Sequence, residues 1–193
     1  MKNMKKIAAL ILVCVFGLLS LSSCALLSKP SDEEIRGELE KLLPDAYEAA
    51  YIVYGPGIEI EENFVIDPDW NTAHYAPVAP GYKYQTRGDV EALIRRAHTE
   101  SYARELYEYA FEGNDDFMAR YNEYEGKLRM DVTKEPLNVA DKIYIDTARV
   151  TKGTAFACEV QVEYSMKGED TRYEMVIQMA KEDDKWLFDG PTY

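Results

Sequence analysis

Residues 156–166 read FACEVQVEYSM, and this stretch decides the fold. Apolar and polar side chains alternate along it, which is typical of a β-strand with one buried and one solvated face. The side chains expected on the buried face are Phe156, Cys158, Val160, Val162, Tyr164 and Met166. Residues 173–179 repeat the alternation after a polar turn, so the two stretches predict neighbouring antiparallel strands.

Further strands are expected on both sides of this pair, because the same period of two recurs between turn residues. The other predicted strands are a short edge strand at 74–78, a hairpin formed by 117–123 and 127–132, a strand at 142–151, and a closing strand around Trp186 and Phe188. The second half of the chain therefore predicts an antiparallel meander.

The first half of the chain shows helical periodicity instead. Apolar side chains recur every three or four residues after Ser31, which forms a Ser-x-x-Glu capping pattern with Glu34. This pattern predicts a helix from Ser31 to about Tyr54, where the Gly-Pro-Gly of residues 55–57 ends it. We expect Pro44 to bend or restart this helix, because proline removes a helical hydrogen bond.

Two shorter helices are predicted before the strands. The first follows a cap formed by Thr86 and Asp89, and the second begins after Thr99 and ends at Gly113-Asn114. Helices followed by an antiparallel meander predict an α+β domain, with N-terminal helices packed on a curved antiparallel sheet. The length of residues 31–193 fits a single domain of this kind.

The first 24 residues predict export and lipidation. Three lysines precede an apolar run from Ile7 to Leu19, and Leu-Ser-Ser-Cys follows, ending at Cys24. Residues 1–23 are therefore interpreted as a lipoprotein signal peptide, Cys24 as the acylated residue and residues 24–30 as a lipidated tether. The alternative is an uncleaved N-terminal anchor, although the apolar run is short for a bilayer span.

The composition limits the classes of partner. The chain carries a net charge of −13, and without the three signal-peptide lysines 19 basic side chains stand against 35 acidic ones, a net charge of −16. Such a charge repels phosphate backbones and anionic headgroups, so we expect no nucleic-acid partner and a membrane contact made by the lipid alone. The alternative role of the acidic surface is solubility.

The three cysteines predict no internal disulfide in the processed protein. Cys14 lies in the signal peptide, Cys24 is the lipidation site and Cys158 remains alone. Because Cys158 falls on an apolar strand face, a buried inert thiol is favoured over a nucleophile.

No catalytic signature, cofactor motif or metal motif is present in the sequence, and we predict a non-enzymatic protein. His74 beside Asp67 or Asp69 could act as a general base, but the sequence favours a surface histidine. Residues 114–116 could ligate calcium, but solvated turn residues are favoured.

An aromatic stretch between residues 58 and 84 is the candidate binding surface, because rigid amphipathic rings can anchor an interface. Its candidate binding residues are Trp70, His74, Tyr75, Tyr82 and Tyr84. The alternative is that these rings form a lid over the core.

Several short segments resemble known families. AAYIVYGPG at 49–57, Tyr75–Val78 and residues 82–92 resemble surface lipoproteins of Gram-positive, clostridia-like bacteria. The stretch from Tyr75 to the Glu-Gly-Lys-Leu of residues 125–128 resembles the DL-endopeptidase inhibitor family. The closing segment 184–188 is similar to the last strand of nuclear transport factor two-like and cystatin-like domains.

These resemblances imply a curved sheet over a helix and a cell-wall protein that restrains peptidoglycan hydrolases. They carry no catalytic or inhibitory residue. The resulting hypothesis is a surface-anchored, non-enzymatic binding module, and inhibition of cell-wall hydrolases is its most specific form. The alternative is a small-ligand-binding domain with a pocket between sheet and helix. The residues expected to line that pocket are Leu39, Tyr47, Val160 and Tyr164, which could instead simply fill the core.

Overall fold

A computed structural model describes residues 28–65, 75–113, 118–137 and 140–192, and these residues form an α+β fold. The helices are α1 (Asp32–Val53), α2 (Arg87–Ala97), α3 (Glu100–Tyr107) and a π-helical turn (Glu108–Glu112). The strands are β1 (Tyr75–Pro77), β2 (Tyr121–Tyr124), β3 (Lys127–Asp131), β4 (Ala140–Gly153), β5 (Ala157–Met166), β6 (Tyr173–Glu182) and β7 (Lys185–Phe188). The signal peptide, Cys24, Trp70, His74 and the acidic turn 114–116 lie outside the described residues.

Helix α1 begins where its sequence cap predicts. The Ser31 hydroxyl accepts a hydrogen bond from the Glu34 amide at 3.1 Å. The Glu34 carboxylate does not complete the box but accepts a 2.9 Å hydrogen bond from Trp186 Nε1 on β7. The expected restart at Pro44 is wrong, because α1 is one helix of 22 residues and the proline lies on its exposed face.

The strands form two sheets, so the expectation of one sheet is wrong. The small sheet has the order β1-β3-β2, and the large sheet is the meander β4-β5-β6-β7. Both edges of β3 are occupied by β1 and β2, and β4 therefore starts a separate sheet. The short edge strand predicted around residues 74–78 is confirmed as β1, and the hairpin around Glu125-Gly126 is confirmed as β2 and β3.

Helix α1 joins the two sheets because each half of it serves a different core. Its first half buries Ile35, Leu39 and Leu43 against the inner face of the large sheet. Its second half buries Ile52 and Val53 against α2, α3 and the small sheet. These two cores together remove most of the apolar face of α1 from water. Burial of that face is the main stabilising contribution expected for an amphipathic helix.

Strand β5 shows the predicted alternation in its centre but not at its ends. Cys158, Val160 and Val162 are buried. Phe156 precedes the strand and is 53% exposed, whereas the polar side chain of Ser165 near the other end is buried. The Ser165 hydroxyl accepts a 3.4 Å hydrogen bond from the Tyr144 hydroxyl of the neighbouring strand β4.

Within the described residues, no helix combines the length and the apolar character needed to cross a bilayer.

Candidate functional site

A groove of ≈ 530 Å³ lies where the C-terminal end of α1 meets the chain that enters β4, and we call it the α1–β4 groove. Its α1 wall consists of Tyr47, Tyr51, Gly55 and Pro56. Its opposite wall consists of Pro136, Leu137 and Ala140, with Asp141 and Lys167 at the end formed by the large sheet. The volume falls within the range of about 300–1,000 Å³ that is usual for small-molecule sites.

The α1 wall is shaped by the way the helix ends. The Tyr54 and Gly55 amides both donate to the Ala50 carbonyl, at 2.8 and 3.0 Å, and the Gly57 amide donates to the Tyr51 carbonyl at 3.1 Å. A Cβ at Gly55 would lie 2.8 Å from the Tyr51 oxygen, so only glycine allows this close turn. The turn places Pro56 in the lining of the same groove as Tyr51.

The opposite wall is held to the same helix end. The Leu137 amide donates to the Tyr54 carbonyl at 2.7 Å, which uses one of the free carbonyls at the end of α1. The Leu137 and Tyr51 side chains are 51% and 49% exposed, and both face the groove. Large apolar side chains exposed in one concave surface are typical of binding sites.

Tyr47 contributes a hydrogen-bonded hydroxyl to the α1 wall of the groove. Its oxygen accepts a 2.6 Å hydrogen bond from the Ile143 amide at the edge of β4. Burial raises the pKa of Tyr47 and outweighs the opposing effect of that hydrogen bond, while the charge of Asp141 adds to the rise. The hydroxyl therefore stays protonated, and its hydrogen can be donated to a ligand.

Two opposite charges stand at the sheet end of the groove. Asp141 and Lys167 are both exposed. Among the described residues, neither has an ion-pair partner within 4.0 Å, although both line the same cavity. The charges of the groove are thus available to a ligand.

A buried arginine supports the groove from beneath. Arg120 is 1% exposed, and its Nη2 donates to the Gly55 carbonyl at 2.5 Å. The last turn of α1 contains no basic residue, so Arg120 supplies the positive charge that a helix C-terminus favours. The Tyr121 hydroxyl adds a 2.7 Å hydrogen bond to the Ile52 carbonyl. Burial raises the pKa of Tyr121 to about 12, so the tyrosine acts as a donor.

The tyrosines predicted as exposed anchors do not form an exposed patch. Tyr84 is buried in the core with residues of α2, as the alternative of a lid over the core expects. Tyr82 is half-buried against the same core, with its ring centroid 6.1 Å from that of Tyr84. Tyr75 is half-buried, and its hydroxyl donates to the Ala119 carbonyl at 2.7 Å. The described part of the aromatic stretch therefore behaves as a lid over the core.

The predicted pocket between sheet and helix is also corrected. Leu39 and Val160 are fully buried and fill the core, and Tyr164 packs half-buried against it. Of the four residues expected there, Tyr47 alone is among the groove residues. The groove lies at the end of α1 rather than beneath it. The sequence signal for the groove is the Gly-Pro-Gly of residues 55–57, which by itself predicts only the end of a helix.

Cys158 and His98 are the remaining reactive groups with a defined environment. Burial raises the pKa of the Cys158 thiol to about 11, which agrees with the predicted inert thiol. His98 is 4% exposed at the junction of α2 and α3, and its Nδ1 lies 2.9 Å from the Ile94 carbonyl. The described residues contain no cluster of three or more acidic, histidine or cysteine side chains able to hold a metal ion.

No protein-family model matches the chain, and no curated protein matches it.

Proposed function

We propose that this protein is a surface-anchored, non-enzymatic binding module and that the α1–β4 groove binds a small amphipathic ligand. The observation that carries the proposal is the half-exposure of Tyr51 and Leu137 on facing walls of one cavity. Exposing two large apolar side chains to water is unfavourable, and a ligand that covers them gains that free energy on binding.

The hydrogen bonds that hold the walls in place support the same function. Backbone hydrogen bonds of the helix end and Arg120 hold the α1 wall, and the Leu137 amide is bonded to the Tyr54 carbonyl. A site that is formed before the ligand arrives loses little conformational entropy on binding. Apolar walls with a few polar groups at one end are typical of sites that orient a small ligand.

The test is a groove-filling substitution with a matched control. The full chain in detergent is incubated with the low-mass fraction of a cell-wall digest, and retained compounds are identified by mass spectrometry. We expect retention by the wild type and by Val176→Trp, whose site is 53% exposed and lies outside the groove. Leu137→Trp should lose the same compounds. Equal retention by both variants, or no retention by the wild type, would contradict the proposal.

Inhibition of a cell-wall hydrolase is a second candidate function, and the net charge of −16 without the signal lysines favours it. An acidic surface accelerates association with a basic enzyme cleft, and salt screens that attraction. The measurement is inhibition of a purified DL-endopeptidase with a basic catalytic domain, at low and high salt. Inhibition that weakens as salt rises supports this function, and absence of inhibition at low salt removes it.

The lipid anchor is part of the same proposal and rests on the signal-peptide pattern of residues 1–23, which is followed by Cys24. Lys29 supports a short tether, because its Nζ donates to the Val150 carbonyl of β4 at 2.8 Å, five residues after Cys24. Cys24→Ser should prevent acylation and release the protein from the membrane. Incorporation of labelled palmitate measures the first effect, and membrane fractionation measures the second.

A further inference from the structure

We propose that the ligand of the α1–β4 groove is a short peptide or amino acid that carries a free ammonium group and a free carboxylate next to an apolar side chain. This inference rests on the proposed function and narrows it to one class of ligand.

The charge pattern comes from the pairing of β4 with β5. Ala140 pairs with Met166, and the register slips before Lys142 pairs with Ser165. Asp141 occupies the slipped position and Lys167 follows Met166 directly, so both side chains belong to the same end of the sheet. They line one cavity without forming an ion pair with each other.

A zwitterion complements this end of the groove. The Asp141 carboxylate can accept hydrogen bonds from an ammonium group, and the Lys167 ammonium can donate to a carboxylate. A ligand with only one charge would leave the other protein charge without a partner. The Tyr47 hydroxyl, whose oxygen accepts from the Ile143 amide, can donate its hydrogen to a carbonyl oxygen of the ligand, as in a peptide bond.

The remaining walls select the side chain of the ligand. Tyr51, Pro56 and Leu137 supply apolar surface to the same cavity. Their exposed aromatic and aliphatic surface fits an aromatic or branched aliphatic side chain, whose burial supplies most of the binding free energy.

The position of the groove favours a dissolved ligand over a bilayer lipid. The tether meets the protein at Lys29, next to the N-terminus of α1, whereas Tyr51 lies near its C-terminus. At a rise of about 1.5 Å per residue, the two ends of α1 are about 30 Å apart. The groove therefore opens at the end of the helix remote from the tether.

The test measures the affinity of the full chain in detergent for alanyl-phenylalanine, its N-acetyl derivative and its C-terminal amide by calorimetry. We expect the unmodified dipeptide to bind best. Asp141→Asn should weaken it about three- to five-fold and leave the N-acetyl derivative unchanged, as expected for one partly exposed charge pair. Lys167→Gln should weaken it similarly and leave the amide unchanged. Asp146→Asn and Lys142→Gln, on the same strand outside the groove, are the controls.

Failure of the inference can be distinguished from failure of the proposed function. If the dipeptide does not bind, if its capped forms bind equally well, or if the controls lose as much affinity, the zwitterionic ligand is wrong. Selective loss of retained compounds in Leu137→Trp would then still support a ligand site in the groove. If the dipeptide does not bind selectively and Leu137→Trp retains the same compounds as the wild type, both proposals are overturned.

Discussion

Gly57 fills a space at the end of α1 that no other residue fits. Its φ is 91°, a region that side chains other than glycine rarely adopt. An added Cβ would collide with the Met130 sulfur and would lie 2.9 Å from Arg120 Nη2 and 3.0 Å from the Tyr121 hydroxyl. The side chains that support the groove therefore pack directly against the Gly57 backbone.

Substitution of Gly57 by alanine should destabilise the protein more than the same change at Gly81. Gly81 has a similar φ of 85° but faces open space, so Gly81→Ala isolates the backbone strain. We expect Gly57→Ala to cost about 1–3 kcal/mol more, because the new methyl group overpacks a buried site. Urea denaturation of both variants measures the difference. Equal losses of stability would show that the Gly57 site relaxes freely.

His98 should make the stability depend on pH below neutrality. Burial lowers the pKa of His98 in the folded state below its usual 6.5, and the hydrogen bond to Ile94 opposes this effect only in part. The unfolded chain then binds a proton that the folded chain does not, so the stability contribution is complete above pH 6.5 and is lost as the pH falls through the folded-state pKa.

Comparison of the wild type with His98→Gln checks this dependence. The free energy of unfolding of the wild type should fall more steeply between pH 7 and pH 5, because glutamine does not titrate. Parallel pH profiles for the two proteins would mean that His98 is protonated equally well in both states.

Within the described residues, both edge strands of the large sheet form hydrogen bonds with the helical part of the chain. On β4, the Val150 amide donates to the Asp32 carboxylate at 2.8 Å, and Arg36 Nη2 donates to the Ala148 carbonyl at 2.9 Å. On β7, the Phe188 carbonyl accepts from the Thr99 amide at 2.9 Å. Edge strands covered in this way are protected from pairing with other chains.

Removal of one of these contacts should open β4 locally. In Asp32→Ala the Val150 amide loses its acceptor, and we expect faster hydrogen exchange at this amide with little change in the centre of β5. Glu33→Ala is the matched control, because Glu33 lies in the same first turn and its side chain is 93% exposed. Unchanged exchange at Val150 in Asp32→Ala would show that the edge does not depend on this carboxylate.

The sequence was most informative where structure depends on neighbouring residues. The cap of α2 was readable from Thr86 and Asp89, and the structure contains both of its hydrogen bonds. The division of the strands into two sheets was not readable, because the pairing of β1 with β3 joins residues more than fifty positions apart. Tyrosine burial depends on the same long-range packing. The burial of Tyr84 in the core was therefore not readable from the sequence.

The α1–β4 groove also depends on contacts between distant parts of the sequence, at the scale of the whole molecule. Tyr51 and Leu137 are separated by more than eighty residues in the sequence, and the hydrogen bond from the Leu137 amide to the Tyr54 carbonyl links their two segments. No local sequence pattern predicts a contact between segments so far apart. The sequence therefore predicts a pocket between α1 and the sheet, whereas the groove lies at the end of α1. The placement of Asp141 and Lys167 at one end of the groove likewise depends on a register shift between β4 and β5.

The most direct test of the α1–β4 groove is photo-cross-linking on intact cells. Benzoylphenylalanine replaces Tyr51 in one strain and Tyr124, which is 55% exposed and outside the groove, in another. After irradiation, the mass of the recovered protein is measured. A groove that binds a ligand predicts a defined mass increase from position 51 and none from position 124. No adduct at position 51, or the same adduct at both positions, would contradict the binding site.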